Sequence, residues 1–257
     1  MLEYGGRDMR VKILNPEVLT NLFKNHGTFA CQCYNTDVKY AEKVGKVCQE
    51  SGHMSGSRTE YIKFTVEGVD RGVAEQCLRH EMGTRFDDFI DVSIDSTMIV
   101  KNMKSFRYVN MDNFDYTIPK IILKSEKATQ RYKETMEQIN KGLIDVKDIL
   151  DEEFPNIDNK VKLEATQYQL PRATNTSFTI GFTLEALFHY MGKRLCVRSQ
   201  PEHRDLALAF KKCVQDNNKD IAEKLVPICD YLLWCPEGKM SCGKCPTKEE
   251  LRNKINS

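Results

Sequence analysis

The sequence predicts an α/β protein, because it alternates a strand pattern with the patterns of amphipathic helices. Across residues 60–67, apolar side chains alternate with polar ones, which is the period of a strand that buries one face. Across residues 37–51, apolar side chains instead recur at the spacing of a helix. Asn35 or Thr36 can cap that helix, and Gly52 can end it. We therefore expect helices packed against a sheet.

The composition excludes several classes of protein. The 257 residues are 40% hydrophobic and 29% charged, so the chain can bury a core, and we expect a single domain over residues 1–257. Thirty-eight Lys and Arg against 37 Asp and Glu give a formal net charge of +1, which favours local anion sites and no nucleic-acid partner. Without a leader or a bilayer-spanning apolar run, we expect a cytoplasmic protein with no membrane partner. The ten scattered cysteines are expected to be reduced.

The predicted strand leads into a helix that presents polar side chains. Gly68 is expected to end the strand, and Asp70 can cap the helix that follows. The inward side of this helix is apolar, and its members are Val73, Ala74, Cys77 and Leu78. The polar groups near its C-terminal end are Gln76, Arg79 and His80.

The middle of the chain is predicted to contain a second pair of strands and a helix. The strands are expected at residues 106–110 and 114–118, the second closed by Pro119. An apolar stripe at helical spacing then begins at Ala128, and we expect Gly142 to end it. Charged residues between the apolar positions indicate that the opposite face of this helix is solvated.

The C-terminal part is predicted to be mostly helical. An apolar helix begins at Leu184 and runs towards Leu206, with Pro201 expected to kink or divide it. A final helix is predicted over residues 220–234. It leads into a cysteine-containing tail, which we count as residues 229–257.

Two fragments separated by a gap carry the functional signal. The first is Gln76-Cys77-Leu78-Arg79-His80, and the second is Asn102-Met103-Lys104-Ser105-Phe106-Arg107-Tyr108. Each places cations, amides and hydroxyls beside an apolar run, and such groups bind a nucleotide phosphate and a ring carbonyl. Together they resemble the signature R-H-R-x-x-S-x-N-E-x-S-x-R-Y of the flavin-dependent thymidylate synthases.

Further segments resemble the same family in the same order. Upstream, residues 51–55 are similar to a family segment with a histidine and a hydroxyl residue. Downstream, residues 106–119 resemble its R-Y-V-N and Ile-Pro segments, and residues 170–202 resemble its L-P, H/N-F and R-x-x-x-x-A-Q-W-E series. The tail from Cys235 is similar to the tail of many members. The resemblance spans residues 30–245, and several motifs in order are more specific than one.

The resemblance implies both a fold and a reaction. The fold is a mostly antiparallel sheet flanked by helices, assembled as a homotetramer with active sites between subunits. The reaction is reductive methylation of dUMP at the uracil C5, with methylenetetrahydrofolate as carbon donor, FAD as the hydride-carrying cofactor and NADPH as reductant. The protein then has to place flavin against pyrimidine and stabilise developing charge.

The resemblance also assigns roles to residues. Those expected to bind FAD are Ser55, Arg79, His80 and His189. Those expected to bind the nucleotide are Gln76, Arg79, Ser105, Phe106, Arg107 and Arg194. Arg194 is the predicted catalytic residue, because it matches the arginine that favours the ionised N3 form of the uracil. A guanidinium suits that role since it stays charged and presents several donors in one plane.

Departures from the family pattern fall on the same chemistry. An insertion lies within the signature, at about residues 85–100. The residues that the family pattern expects are replaced at several positions, namely Glu81, Met103, Phe106, Gln167, Thr183, Glu185 and Pro201. Each lost charged hydrogen bond weakens ligand binding by about 1.5 to 3 kcal/mol. Two alternatives therefore stay open: the same chemistry on another pyrimidine nucleotide such as UMP, and a non-catalytic nucleotide-binding paralogue.

Several candidate residues also have structural interpretations. Arg194 can form an ion pair with Glu202 or Glu185, and His189 can be a histidine of the apolar core. The four tail cysteines, Cys229, Cys235, Cys242 and Cys245, include one Cys-x-x-Cys pair, Cys242 and Cys245, but a second close pair is missing. We therefore predict no metal ligand, while leaving open whether the C-terminal cysteines bind a metal.

Overall fold

The structure is a computed structural model that describes residues 2–4, 7–79 and 99–256. Its strands are β1 (Leu2–Tyr4), β2 (Arg7–Ile13), β3 (Ile62–Asp70), β4 (Ile99–Met103) and β5 (Asn175–Phe182). They form one sheet in the order β1-β2-β3-β5-β4. Strands β1 and β2 pair antiparallel, with Leu2 opposite Met9 and Tyr4 opposite Arg7. The predicted mixture of a mostly antiparallel sheet with helices is confirmed.

Helices account for most of the remaining described chain. They are α1 (Pro16–Thr20), α2 (Leu22–Cys33), α3 (Ala41–Glu50), α4 (Arg71–Leu78), α5 (Lys120–Leu123), α6 (Glu126–Glu153), α7 (Asn159–Thr166), α8 (Leu184–Arg194), α9 (Pro201–Gln215), α10 (Lys219–Lys224), α11 (Ile228–Leu232) and α12 (Lys248–Asn256). Short 3₁₀ helices occur at Val38–Tyr40, Ser55–Arg58, Phe106–Tyr108, Gln167–Gln169 and Gly238–Met240. Within the described ranges, no helix is long and apolar enough to cross a membrane.

Strand β3 follows its predicted alternation. Ile62, Phe64 and Val66 are buried, while Lys63 and Glu67 are exposed. The prediction that Gly68 ends the strand is wrong, because β3 continues to Asp70. Gly68 has φ of +77°, and the burial pattern shifts by one residue there, as in a β-bulge with glycine in the left-handed region.

The turn from β3 into α4 forms as predicted. The Oδ1 atom of Asp70 accepts a hydrogen bond from the Val73 amide at 2.8 Å, which satisfies one of the free donors at the helix start. Val73, Ala74 and Cys77 are each 0% exposed. Helix α4 is thus anchored by its cap and its apolar face. Arg79, one residue beyond it, is exposed.

The predicted strand pair at residues 106–110 and 114–118 is wrong. Residues 106–108 form a 3₁₀ helix instead. The second segment pairs with the chain before β5, through an antiparallel bridge between Tyr116 and Thr174. The amide of Asn175 donates to the Asp115 carbonyl at 2.7 Å. Alternation alone does not identify a strand's partner, and here the partner lies far along the chain.

Two predicted helix boundaries are also wrong, each for a local reason. Helix α6 passes through Gly142 and continues to Glu153, because one glycine costs only about 1 kcal/mol in a helix interior. The predicted helix over residues 220–234 is broken, because Pro227 precedes α11 and proline removes a helix donor. The predicted division at Pro201 is confirmed, since Pro201 begins α9.

The helix predicted over residues 37–51 is present as a 3₁₀ turn followed by α3. Its N-terminal cap is Asp37, whose side chain accepts from the Lys39 amide at 2.9 Å, rather than Asn35 or Thr36. Gly52 follows the helix with φ of +75°, which suits a glycine at a helix end.

The chain folds into two compact units. The described residues of the first unit lie within Met1–Arg10, Val66–Leu78 and Asn102–Phe178, and those of the second lie within Val11–Thr65, Arg79–Lys101 and Thr179–Ser257. In the second unit the core is aromatic, and Phe64 lies 4.7 Å from Phe210 between ring centroids. In the first unit α6 buries Met136 and Leu143.

Candidate functional site

The predicted site residues divide between the two units. The first unit contains Gln76, Ser105, Phe106 and Arg107, and the second contains Ser55, Arg79, His189 and Arg194. His80, Glu81 and residues 85–98 of the predicted insertion lie outside the described residues. We call the two sets the first-unit group and the second-unit group.

The first-unit group is held together by Phe106. Its side chain is 5% exposed, and the Arg71 guanidinium lies 5.5 Å from the centre of its ring, in cation–π geometry. Arg71 begins α4, the helix that also carries Gln76. The contact therefore brings the Gln76 helix beside the 3₁₀ helix that follows Ser105. Ser105 itself is exposed.

Arg107 forms a forked ion pair with Glu164 of α7. Its Nε lies 3.0 Å from Oε1, and its Nη2 donates to Oε2 at 3.2 Å. The two side chains are 44% and 40% exposed, so the pair adds little to stability. The planar guanidinium presents two parallel N–H donors to Glu164, which is the geometry used to bind carboxylate or phosphate.

Gln167, where the family pattern expects a phosphate-binding arginine, lies beside this pair. Its Nε2 donates to the Glu164 carbonyl at 3.2 Å. Lys160 adds a cation nearby, with its Nζ 5.2 Å from the centre of the Tyr108 ring. Sequence reasoning missed Glu164, because none of the motif segments includes it. The first unit thus gathers Ser105, Arg107 and Gln167 near one exposed surface.

The second-unit group is organised by a forked ion pair between Arg58 and Glu185. The Nε of Arg58 lies 2.5 Å from Oε2 of Glu185, and its Nη2 donates to Oε1 at 3.1 Å. Arg58 ends the 3₁₀ helix that begins at the exposed Ser55, and Glu185 lies in the first turn of α8. The pair therefore ties the Ser55 turn to α8.

His189 lies one turn beyond Glu185 on the same face of α8. Partial burial lowers the pKa of His189, the positive charge of Lys193 lowers it further, and the negative charge of Glu185 opposes both. The imidazole is therefore neutral at neutral pH. It can both accept and donate a hydrogen bond in that form.

Aromatic packing fixes the orientation of α8. Tyr190 is 0% exposed, and its ring centroid lies 5.1 Å from that of Phe182 and 5.8 Å from that of Phe210. Its hydroxyl shares a hydrogen bond of 3.0 Å with Nε2 of the buried His203. Thr183 caps the helix by accepting from the Ala186 amide at 3.3 Å. Helix α8 is thus a rigid support for His189 and Arg194.

Arg194 lies in the last turn of α8 and is half-buried. Its Nε is buried and has no hydrogen-bond partner among the described residues. Glu185, one of the two ion-pair partners considered from the sequence, binds Arg58 instead. A buried charged donor without an acceptor costs free energy, so the Nε of Arg194 is a donor available to a bound acceptor.

The first unit also contains a cleft of about 490 Å³. Its lining is largely polar and includes Arg10, Lys104, Asn110, Asn113 and Asn175. The sequence analysis did not assign any of these residues to a site. The candidate residues Ser105 and Arg107 do not line it, so we keep the cleft separate from the first-unit group.

Comparison with known protein families identifies what this chain resembles. Residues 25–217 match the family model described as thymidylate synthase complementing protein. The matched range contains both candidate groups. It ends before α10 and the cysteine-containing tail.

Curated relatives give the same result at low identity. The chain is 26% identical over 203 residues to a flavin-dependent thymidylate synthase of Nitratidesulfovibrio vulgaris, covering 79% of this chain and 76% of the relative. It is 27% identical over 263 residues to the protein of that name from Clostridium tetani, covering 96% of this chain and 98% of the relative. It is 26% identical over 200 residues to the protein of the same name from Geobacter sulfurreducens, covering 78% of this chain and 75% of the relative.

Proposed function

Because this chain belongs to the thymidylate synthase complementing protein family, we propose that it is a flavin-dependent enzyme that methylates dUMP at the uracil C5 to make dTMP. Methylenetetrahydrofolate supplies the carbon and NADPH the reducing equivalents. Bound FAD supplies the hydride chemistry. The observation that carries the proposal is the half-buried Arg194, whose Nε lacks an acceptor among the residues described.

The second-unit group fits the flavin in its donor chemistry. Ser55 offers an exposed hydroxyl beside the Arg58–Glu185 pair, and His189 offers a neutral imidazole on the same helix face as Glu185. Arg79 and His80 complete the set of residues that would hold FAD. Arg58 also compensates in part for the negative charge of Glu185, because its guanidinium keeps a positive charge beside that carboxylate.

The first-unit group fits the nucleotide. Arg107 presents a planar guanidinium at an exposed position, and a phosphate accepts two parallel hydrogen bonds from such a group. Ser105 adds a hydroxyl and Gln76 an amide. Because Phe106 is buried, it supports this surface from beneath through Arg71 rather than narrowing it. Its bulk therefore does not favour UMP over dUMP.

Arg194 is proposed to act on the pyrimidine ring. A guanidinium donor beside the uracil carbonyl and N3 stabilises negative charge there, and this charge develops when N3 loses its proton. The stabilisation is strongest where water is excluded, and the Nε of Arg194 is buried. Its fixed charge means that the arginine holds the anion without giving up a proton itself.

The central experiment measures flavin content together with release of tritium from C5-labelled dUMP, with labelled UMP in parallel. We expect purified protein to contain FAD and to release label from dUMP. Arg194→Ala should lower turnover at least about a hundredfold while keeping flavin content within about twofold of the parent. Arg198→Ala is the matched control, because Arg198 is an exposed arginine close in sequence. Equal losses of flavin and turnover in Arg194→Ala would make the arginine structural.

One observation favours a second candidate, the non-catalytic nucleotide-binding paralogue. Glu164 already occupies the Nε and Nη2 donors of Arg107, so a nucleotide phosphate must compete with this carboxylate, as in a protein that binds a nucleotide weakly and no longer turns it over. Protein that stays colourless after reconstitution with FAD, but still binds dUMP, would establish this candidate and exclude the enzyme.

A further inference from the structure

Three potential metal ligands converge in the C-terminal part of the second unit. They are Cys229, Asp230 and Cys245, and their ligand atoms all lie within 4.8 Å of one another. Both thiols donate to Oδ1 of Asp230, Cys229 at 3.6 Å and Cys245 at 3.7 Å. The Cys-x-x-Cys pair of the sequence, Cys242 and Cys245, does not supply both thiols of this cluster. The second thiol is that of Cys229, which lies in α11.

We propose that Cys229, Asp230 and Cys245 bind one zinc ion, with a water molecule as the fourth ligand. Thiolate ligands favour zinc among the common divalent ions of proteins. A tetrahedral ion with Zn–S bonds of about 2.3 Å and a Zn–O bond of about 2.1 Å separates sulfur from oxygen by about 3.6 Å. The two sulfur–oxygen distances already match that edge of the tetrahedron.

The electrostatics of the cluster suit a divalent cation. The two thiol sulfurs lie 3.6 Å and 3.7 Å from one oxygen of the Asp230 carboxylate. Three groups that become negative together repel one another, and a dication removes that repulsion. Zinc binding displaces the two thiol protons to solvent, so the affinity must rise with pH.

Local structure brings Cys245 back to α11. Gly243 has φ of +79°, and its amide donates to Oγ of Ser241 at 3.1 Å. The Cys235 amide donates to the Pro246 carbonyl at 2.8 Å, which closes the loop around the turn. Helix α11 in turn packs against α8, since a Cβ on Gly192 would lie 3.6 Å from the Cβ of Ile228. A zinc ion would therefore fasten the tail to the helix that packs on α8.

The test is a Co²⁺ titration of the reduced, chelator-treated full-length protein, followed by absorption spectroscopy. We expect one equivalent of Co²⁺ to produce a thiolate-to-metal charge-transfer band and tetrahedral d–d bands. Cys229→Ser and Cys245→Ser should each lose the charge-transfer band. Cys242→Ser is the matched control, because it removes an exposed tail thiol outside the cluster, and it should keep both sets of bands.

A second measurement needs no variant. Alkylation of native protein with and without Zn²⁺, mapped by mass spectrometry, should show Cys229 and Cys245 protected by the metal while Cys33 and Cys242 react equally in both samples. The proposal is overturned if reduced protein gives no Co²⁺ band, if the band survives in Cys229→Ser or Cys245→Ser, or if Zn²⁺ protects neither cysteine. A Cys229–Cys245 disulfide that reforms in the presence of Zn²⁺ would also overturn it. None of these outcomes depends on flavin content or on turnover of dUMP.

Discussion

Arg58 and Glu185, which are 127 positions apart in the chain, form a forked ion pair with an Nε–Oε2 distance of 2.5 Å. The pair joins the turn that begins at Ser55 to the face of α8 that carries His189. It thereby relates two residues that the family resemblance assigns to the flavin, although neither member of the pair was itself assigned a role from the sequence.

Breaking this pair should weaken flavin binding more than it weakens the fold. Arg58→Gln is expected to lower FAD affinity about tenfold, equivalent to about 1.4 kcal/mol, because the Ser55 turn loses its tie to α8. The free energy of unfolding should change by less than about 1 kcal/mol, since the Arg58 side chain is 54% exposed. Flavin titration and urea unfolding measure the two quantities.

The control for this prediction is Lys212→Gln, which breaks a surface pair with Asp216 whose members are 63% and 56% exposed. It should change neither quantity. Swapping the charges, with Arg58→Glu and Glu185→Arg combined, should restore most of the flavin affinity. A double variant as weak as the single one would show that the ion pair does not position the turn.

Removing Glu164 should strengthen nucleotide binding. Glu164→Gln frees the Arg107 guanidinium from a competing carboxylate, and we expect the Kd for dUMP to fall about threefold. Arg107→Ala should raise that Kd at least about tenfold, as expected for a lost charged hydrogen bond. Isothermal titration calorimetry at fixed ionic strength measures both effects. If Glu164→Gln instead weakens binding, the carboxylate serves to orient the arginine.

Two histidines, the buried His26 and the half-buried His189, should make the protein less stable in mild acid. Burial is the larger cause of the lowered pKa of His26 and of His189. Below an unfolded-state pKa of about 6.5, the unfolded chain binds protons that the folded protein does not. The free energy of unfolding should therefore fall as the pH drops from about 7 to about 5.

Urea unfolding at several pH values tests this prediction. His189→Gln should show a shallower fall in stability with decreasing pH than the parent, because one lowered pKa is gone. His53→Gln is the control, since His53 is exposed and its replacement leaves the imidazoles of His26 and His189 in place. If the free energy of unfolding of His189→Gln fell with pH as steeply as that of the parent, His189 would have the same pKa in the folded and the unfolded protein.

Two glycine-to-alanine substitutions should have opposite effects. Gly142 lies inside α6, and apart from the adjoining backbone of its own helix no atom of the described residues lies within 4 Å of the position that an alanine methyl would take there, so Gly142→Ala should raise the free energy of unfolding by about 0.5–1 kcal/mol. At Gly27 the same methyl would lie 1.6 Å from the Ala41 carbonyl oxygen. Gly27→Ala should therefore cost about 3 kcal/mol or more. Chemical denaturation compares them directly, and similar effects would contradict the α2–α3 packing.

Local chemistry made parts of the fold predictable. The alternation in β3, the Asp70 cap of α4 and the division before α9 each depend on residues that are neighbours in the chain. One incorrect element depends on a distant partner, since residues 114–118 bridge to the segment before β5. The incorrect helix boundaries have local causes: one glycine costs too little to end α6 at Gly142, and Pro227 breaks the helix predicted over residues 220–234.

The sequence by itself determined the family, the α/β class and the residue types available for binding, because motifs and periodicity are properties of adjacent residues. Only the tertiary structure decided that Arg58 meets Glu185, that Arg107 meets Glu164 and that Cys229 meets Cys245. The physical reason is that a side chain's partners are set by the packing of whole helices and turns against one another, and that packing depends on contacts between segments far apart in the chain.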